Sequence, residues 1–291
     1  MTTKELLYLS WLTHIDLPEL YITLLSRGGK IPVAALADAI LRMDDAGALT
    51  CVELYPEARA AAHEMLSSDA MLIGYQNDNA TTGLVAYTFE DAGQIIVAMR
   101  GSETAGGCVP SNIDWTDNFC TPFLGSVQYP AIREIARAYE AGDVIFTGHS
   151  KGGHNALYAL VASENPNARA VSFNGQGFAH GALTAAEEDA LAARGVNYVV
   201  AADLIGALLE HPERRVYVKQ AEGTRAHMPE AFTFDEFGEP IPALRAPASV
   251  AAELSTRAVD RALKGGTRGK LRAICEAILP NSRRQTTEPM L

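Results

Sequence analysis

DVIFTGHSKGG, at residues 143–153, is the stretch that decides the fold. Its first half is a short apolar run typical of a buried strand, and its second half carries the pattern Gly-x-Ser-x-Gly around Ser150. Composition alone produces this pattern in about one in ten chains of such a length, so its context matters. An Ala- and Leu-rich segment at residues 155–163 follows and is typical of a helix. A strand, a tight turn and a helix in this order predict a nucleophile elbow with Ser150 at the turn.

The segments on both sides of the elbow place it in a larger sheet. Downstream, strands alternate with an Ala-rich helix at residues 184–193, which favours parallel strands joined by helical crossovers. Upstream, short runs separated by turn residues predict an antiparallel start to the same sheet. We therefore predict an α/β fold of the α/β-hydrolase type, with a mostly parallel central sheet flanked by helices. The predicted strands are 70–75, 83–89, 94–99, 143–147, 168–173, 197–201 and 216–218.

Helical segments are predicted at both ends of the chain. Residues 1–65 show apolar positions at helical spacing and are predicted to pack on the core, with Pro32 in the first turn of a helix. The α/β core is assigned to residues 66–245, and a helical tail follows at 246–291 after a Pro-rich link.

Composition excludes several classes of function. The net charge of -11 and the pI near 5.1 argue against a nucleic-acid partner, because phosphate binding needs clustered Lys and Arg. Apolar runs are too short for a transmembrane segment, and the amino terminus lacks the apolar core of a signal peptide. We therefore predict a cytoplasmic protein. The sequence does not indicate an oligomeric state.

The four cysteines are widely spaced and form no metal-binding pattern. We predict thiols in a reducing compartment, and a bridge between Cys108 and Cys120 is the alternative. Neither a metal nor a cofactor is expected, because no ligand cluster and no dinucleotide or phosphate-loop motif occurs.

A serine nucleophile needs a histidine base and an acid that orients it, in the chain order serine, acid, histidine. Of the three later histidines, His180 precedes any acid at a later strand end, and His211 has the pattern of the exposed end of a short helix. His227 follows the next strand in a loop and is the predicted base. His149 and His154, close to the nucleophile in sequence, are interpreted as structural.

Asp203 directly follows the predicted strand at 197–201, which places its carboxylate at the carboxyl edge of the sheet. It is the predicted acid, and the alternative is an N-cap for a short helix at 204–209. Asp235 and Glu230 are weaker substitutes. For an oxyanion hole we predict the backbone amides of Lys151 and of Ser102, whose alternative is an ordinary turn residue.

Five segments together resemble a known group of proteins. IVAMRGS at 96–102, DWTDNF at 114–119 and GHSKGG at 148–153 are similar to motifs of class 3 lipases within the α/β hydrolases. GHSKGG, with FNGQGF at 173–178 and IGALLEH at 205–211, is closer to the Mbeg1-like family, formerly a domain of unknown function. The resemblance extends over roughly residues 65 to 235.

The resemblance implies site residues that agree with the positional reasoning. In class 3 lipases the residue after Arg-Gly contributes to the oxyanion hole, which implies this role for Ser102. In the same lipases the acid of the triad precedes an apolar pair after a later strand, which implies this role for Asp203. Their histidine comes late in the chain, which implies the role of base for His227. The family resemblance implies a hydrolase but not a substrate.

The predicted function is hydrolysis of a small-molecule or lipid ester through an acyl-enzyme at Ser150. An acyltransferase with the same three residues and a catalytically silent binding protein are the alternatives. Residues 104–124 are interpreted either as a lid over the substrate or as a plain surface loop.

Overall fold

The computed structural model describes residues 1–45, 56–103, 112–263 and 265–279. Within these ranges eight strands form one sheet, and their order in space is their order along the chain. The strands are β1 (Ile31–Pro32), β2 (Met71–Asp78), β3 (Leu84–Asp91), β4 (Gln94–Met99), β5 (Val144–His149), β6 (Ala168–Phe173), β7 (Gly195–Val200) and β8 (Arg214–Val218). The α-helices are α1 (Thr3–Leu12), α2 (Glu19–Ser26), α3 (Val33–Asp45), α4 (Pro56–Glu64), α5 (Asn112–Leu124), α6 (Tyr129–Ala138), α7 (Lys151–Ala162), α8 (Ala185–Arg194), α9 (Pro247–Ala262) and α10 (Gly265–Ile278).

The sheet changes direction at β4. Strands β1 to β4 pair antiparallel, and β4 to β8 pair parallel. Each parallel step from β4 to β7 needs a crossover, which α6, α7 and α8 supply in turn. The predicted α/β-hydrolase type of fold, with a mostly parallel sheet flanked by helices, is confirmed.

Both faces of the sheet are covered. In β4, Ile96 and Ala98 belong to a core cluster with residues of α1, α3 and α4. The alternate residues Val97 and Met99 belong to a second cluster with residues of α6, α7 and α8. Successive side chains of a strand point to opposite faces, so a strand buried on both faces is a continuous apolar run.

Two segments differ from the predicted secondary structure near the ends of the chain. Pro32 lies in the edge strand β1 rather than in a helix, and α3 begins at Val33. An edge strand tolerates proline because one side of the strand has no ladder partner to receive an N–H. The predicted helical tail is divided into α9 and α10.

Part of the predicted loop or lid at residues 104–124 is a helix. Residues 112–124 form α5, whose buried side includes Asp114, Asp117 and Cys120. Cys120 also packs in a small apolar cluster with Cys275 of α10. Residues 104–111 lie outside the described residues, so the predicted alternative of a bridge from Cys108 lies there too. Among the described helices, none is long and apolar enough to cross a membrane.

Candidate active site

Ser150 occupies a strained turn between β5 and α7. Its φ is 57° and its ψ is -122°, a combination that costs about 1–3 kcal/mol for a residue with a side chain. Two backbone hydrogen bonds hold it: its N–H donates to the Phe173 carbonyl at 2.9 Å, and its carbonyl accepts from the His154 N–H at 3.1 Å. The neighbouring strand and the following helix therefore fix Ser150 at the carboxyl edge of the sheet.

Two glycines make room for this turn. A Cβ on Gly148 would lie 2.2 Å from the carbonyl oxygen of Gly152, and one on Gly152 would lie 2.1 Å from the Met99 carbonyl oxygen. Both distances are far below van der Waals contact with rigid backbone atoms. The Gly-x-Ser-x-Gly pattern is thus required by the close approach of α7 to β4 and β5.

The structure brings Ser150, His227 and Asp203 together. His227 Nε2 lies 2.9 Å from Ser150 Oγ, and His227 Nδ1 lies 2.9 Å from Asp203 Oδ1. The Asp203 side chain is almost fully buried, whereas the His227 side chain is 30% exposed. An imidazole with one nitrogen on a carboxylate and the other on a hydroxyl is arranged to accept the hydroxyl proton.

Asp203 makes two contacts at once, one with His227 and one with a short helix. While Oδ1 faces His227, Oδ2 accepts a hydrogen bond from the Gly206 N–H at 2.5 Å. Gly206 lies in a short 3-10 helix, Ile205–Ala207, so Asp203 also caps this element. One carboxylate oxygen is used for the cap and the other for the histidine.

The backbone of His227 is held by two side chains that sequence reasoning did not assign to the site. His149 Nε2 lies 2.6 Å from the His227 carbonyl oxygen, and Asn174 Nδ2 donates to the same oxygen at 3.1 Å. The carbonyl can only accept, so the neutral His149 ring carries its hydrogen on Nε2. These bonds fix the loop that carries His227.

Asn174 joins three parts of the site. It follows β6 with a φ of 50°, and its Oδ1 accepts from the Val200 N–H at 2.9 Å at the end of β7. A positive φ is rare for a residue other than glycine but is most readily adopted by Asn and Asp. The signal was present in the segment FNGQGF, as an Asn at the carboxyl end of a strand.

A series of ring contacts connects α1 to His227. The ring centroids of Trp11 and His14 lie 4.5 Å apart, those of Trp11 and His149 5.4 Å, and those of His149 and His227 5.0 Å. Burial and the nearby Arg100 lower the pKa of His14 to about 3. Burial, followed by the charge of His227, holds the pKa of His149 well below its ordinary value. The rings behind His227 are therefore neutral near neutral pH.

The predicted oxyanion residues lie on two sides of Ser150. Ser102 follows β4, and a Cβ on the preceding Gly101 would lie 3.6 Å from the Ser150 Cβ. Asn118 Nδ2 of α5 donates to Ser102 Oγ at 2.7 Å, which leaves the Ser102 hydroxyl hydrogen free to donate elsewhere. Lys151 is the first residue of α7, where a backbone N–H has no partner within the helix.

The Lys151 side chain is buried in a cluster of charges. Its Nζ lies 2.7 Å from Asp117 Oδ2 and 3.6 Å from Asp114 Oδ1, both on α5. Burial raises the pKa of Asp114 above its ordinary value although Lys151 opposes this. These contacts tie α5 to the first turn of α7, next to Ser102 and Ser150.

Comparisons with known proteins identify the group to which this fold and site belong. The Mbeg1-like family model matches residues 70–239, more than half of the chain. The chain belongs to the Mbeg1-like family. No curated protein matches its sequence significantly.

Several solved structures are similar to this Mbeg1-like chain. A mutant MDLA from Penicillium cyclopium has a TM-score of 0.41 and 14% identity, over 82% of this chain and 96% of its own. The mono- and diacylglycerol lipase from Aspergillus oryzae has a TM-score of 0.40 and 13% identity, over 62% and 80%. Lip2 lipase from Yarrowia lipolytica has a TM-score of 0.36 and 14% identity, over 71% of this chain and 81% of its own. Likenesses this distant do not identify an activity.

The other candidate residues of this Mbeg1-like chain have separate partners. His180 Nδ1 lies 3.3 Å from a Glu210 carboxylate oxygen, and Glu230 lies 3.9 Å from Arg225. Asp235 Oδ1 accepts from the N–H groups of a turn at 2.9 Å. In the part of the chain that the structure covers, no cluster of His, Cys, Asp and Glu could hold a metal ion.

The interpretation of His211 as an exposed helix end is wrong. Its side chain is fully buried, with Nδ1 2.6 Å from a Glu213 carboxylate oxygen. The short helix ends at Ala207, and the chain then turns inward, so His211 reaches the interior. His154 is also buried, with its ring nitrogens facing the Tyr129 hydroxyl at 2.7 Å and the Gln176 carbonyl at 3.2 Å.

Proposed function

We propose that this Mbeg1-like protein is a serine hydrolase that cleaves carboxylic esters through an acyl-enzyme at Ser150. One observation carries the proposal: two hydrogen bonds of 2.9 Å link Ser150, His227 and Asp203, with Ser150 in a strained turn. This combination supports a nucleophile, a base and an orienting acid.

In the proposed first half-reaction, Ser150 Oγ attacks the carbonyl carbon of the ester while His227 Nε2 takes the hydroxyl proton. Asp203 accepts the hydrogen bond of Nδ1–H and stabilises the imidazolium that forms. The tetrahedral intermediate collapses when the bond to the alkoxy group breaks, and the alcohol leaves with the proton from His227. In the second half-reaction, water attacks the acyl carbonyl carbon and gives a proton to His227. The bond to Ser150 Oγ then breaks, the acid leaves, and His227 returns the proton to Ser150 Oγ.

The negative charge that develops on the carbonyl oxygen needs hydrogen-bond donors. We assign this role to the backbone amides of Ser102 and Lys151, with the Ser102 hydroxyl as a third donor oriented by Asn118. The amino end of α7 adds a partial positive charge at the same place. The substrate class is a small-molecule or lipid ester, and this mechanism uses no cofactor.

Labelling by a fluorophosphonate probe tests the proposal. The purified protein should be labelled in a time-dependent manner, and Ser150→Ala should abolish labelling while its melting temperature stays close to that of the wild type. Ser163→Ala, at the end of α7 and of the same residue type, is the matched control and should be labelled normally. A folded wild-type protein without Ser150-dependent labelling would be a catalytically silent binding protein.

Product analysis then separates hydrolysis from acyl transfer. With p-nitrophenyl esters of short and long acyl chains, the free acid should be the product in water. If a new ester accumulates in preference to the acid when an alcohol acceptor is added, the protein is an acyltransferase.

A further inference from the structure

A second histidine and carboxylate pair lies close to the loop that carries Asp203. His211 Nδ1 and Glu213 Oε1 lie 2.6 Å apart, and both side chains are fully buried. The other ring nitrogen, Nε2, lies 3.0 Å from the Leu208 carbonyl oxygen. No step of the proposed mechanism uses this pair.

The partners of His211 determine its charge. A carboxylate and a carbonyl can only accept hydrogen bonds, so both ring nitrogens face acceptors, and this arrangement favours a hydrogen on each. Burial alone would raise the pKa of Glu213, but the charge and hydrogen bond of His211 outweigh it, so this pKa lies below its ordinary value. Asn197 Nδ2, at 3.4 Å, and the charge of Arg215 also stabilise the carboxylate.

The pair holds one end of the short helix that Asp203 caps at the other end. Asp203 Oδ2 accepts from Gly206 at 2.5 Å, and the Leu208 N–H donates to the Ile205 carbonyl at 3.0 Å. The Leu208 carbonyl then accepts from His211. Three consecutive hydrogen bonds therefore run from His211 to the Asp203 carboxylate.

The chain between the helix and the pair is strained. Leu209 has a φ of 72°, which is unfavourable for a residue with a branched side chain. Its N–H donates to Thr256 Oγ1 at 3.1 Å, and Glu210 pairs with Phe178 through two backbone hydrogen bonds. Such a conformation persists only where its surroundings hold it in place, so the loop needs firm anchors on both sides.

We propose that His211 and Glu213 are positioning residues that hold Asp203 in register with His227. The inference rests on the proposed function, since it assigns the pair a role in the same site. The buried pair fixes the Leu208 carbonyl and, through it, the short helix. The helix in turn keeps Asp203 Oδ1 next to His227 Nδ1.

A double-mutant cycle tests this coupling. Glu213→Gln removes the charge at nearly constant shape and should lower kcat for a p-nitrophenyl ester about 10- to 100-fold, with little change in KM. In an Asp203→Asn background the same change should cost less than about 2-fold, because the residue through which it acts is already lost. An equal loss in both backgrounds, or no loss in the wild type, would overturn the proposal.

Two further variants keep the test decisive. Glu210→Gln makes the same chemical change in the same loop, at a more exposed carboxylate, and should leave kcat within about 2-fold of the wild type. Glu213→Asp keeps the charge and should recover part of the lost activity. If Glu213→Gln does not fold, Glu213→Asp replaces it in the cycle, with a smaller expected loss.

Proton NMR provides a readout that does not depend on hydrolysis. The wild type should show two N–H resonances for His211 and a downfield Nδ1–H resonance for His227. Glu213→Gln should shift or broaden the His227 resonance, as Asp203→Asn does. A single N–H on His211 or an unchanged His227 resonance would overturn the proposal. Absence of Ser150 labelling together with the expected NMR changes would remove the proposed function and leave the coupling between the pair and Asp203.

Discussion

Two histidine and carboxylate pairs lie close together, and they differ in their third partner. His227 faces Asp203 through Nδ1 and the Ser150 hydroxyl through Nε2. His211 faces Glu213 through Nδ1 and the Leu208 carbonyl through Nε2. A hydroxyl can give up a proton to a neutral imidazole, whereas a carbonyl has none to give.

Exposure reinforces this difference. The His227 side chain is 30% exposed, so substrate and water can reach it, while the side chains of His211 and Glu213 are fully buried. In the proposed mechanism, similar Nδ1 contacts therefore assist proton transfer in one pair and hold a buried side chain in place in the other. A carboxylate beside a histidine does not by itself indicate a catalytic base.

Replacing His227 should mainly reduce activity, whereas replacing His211 should mainly reduce stability. His227→Gln is expected to lower kcat on the order of 10⁶-fold while the melting temperature changes little, because the partly exposed ring contributes chemistry rather than packing. His211→Gln should lower the free energy of unfolding by roughly 3–5 kcal/mol, because Glu213 is left buried without its partner. Ester kinetics and urea unfolding measure the two effects. Retained activity in His227→Gln would remove the distinction between the pairs.

Asparagine at position 203 should cost about 10⁴-fold in kcat. Its one remaining oxygen can still cap Gly206, so its NH2 group faces His227 Nδ1 and favours the tautomer with hydrogen on Nε2. That tautomer cannot accept the Ser150 proton. The melting temperature should stay within a few degrees of the wild type. Activity equal to the wild type would show that another carboxylate orients His227.

A third histidine, His154, extends the comparison to the dependence of stability on pH. His154 is fully buried with a hydroxyl and a carbonyl as partners, and burial lowers its pKa from 6.5 to about 4. Because the folded pKa lies below the unfolded one, the contribution to stability is complete above pH 6.5 and is lost as the pH falls toward 4. The loss should be on the order of 3 kcal/mol.

Urea unfolding at pH 7 and at pH 4.5 measures this loss. His154→Gln removes one titrating group and should reduce the dependence of the unfolding free energy on pH, while His14 and His149, whose pKa values are also lowered, keep the rest of it. Gln176→Ala, which keeps the backbone carbonyl that faces the ring, is the control and should keep the slope. An identical slope in the His154 variant would contradict the assignment of a neutral buried ring.

The smallest expected effect concerns Asn174. Asn174→Gly keeps the positive φ without strain but removes the hydrogen bonds to the carbonyls of Ala226 and His227. We expect kcat to fall about 10-fold, since His149 still holds the His227 carbonyl. Ester kinetics check this value. A fall as large as that of Asp203→Asn would mean that the loop, rather than the carboxylate, controls the position of His227.

The sequence was sufficient for seven of the eight described strands, all but β1, and for the three residues that meet at the edge of the sheet. Ser150 and Asp203 lie within three residues of the carboxyl ends of predicted strands, and parallel strands bring these ends to one edge. His227 followed from the chain order of the three residue types, a rule of the fold. Their roles in catalysis remain a prediction.

Other features depend on contacts that no local pattern encodes. Asp114 and Asp117 lie on the buried side of α5 because Lys151, which is distant in sequence, forms ion pairs with them there. In the sequence, residues 104–124 were interpreted as a lid or a plain surface loop, so α5 was missed. The burial of His211 was missed for the same reason, since Glu213 and the Leu208 carbonyl receive it only in the folded chain.

The ring contacts from Trp11 to His227 determine which fragments of this protein can fold. The family match begins at residue 70, yet α1 and the helices after it supply the apolar layer over one face of the sheet. A fragment of residues 70–239 would leave that face bare to solvent and His149 without its aromatic neighbour. The segment that the family model matches is therefore smaller than the unit that must be expressed, and a fragment with those boundaries should aggregate.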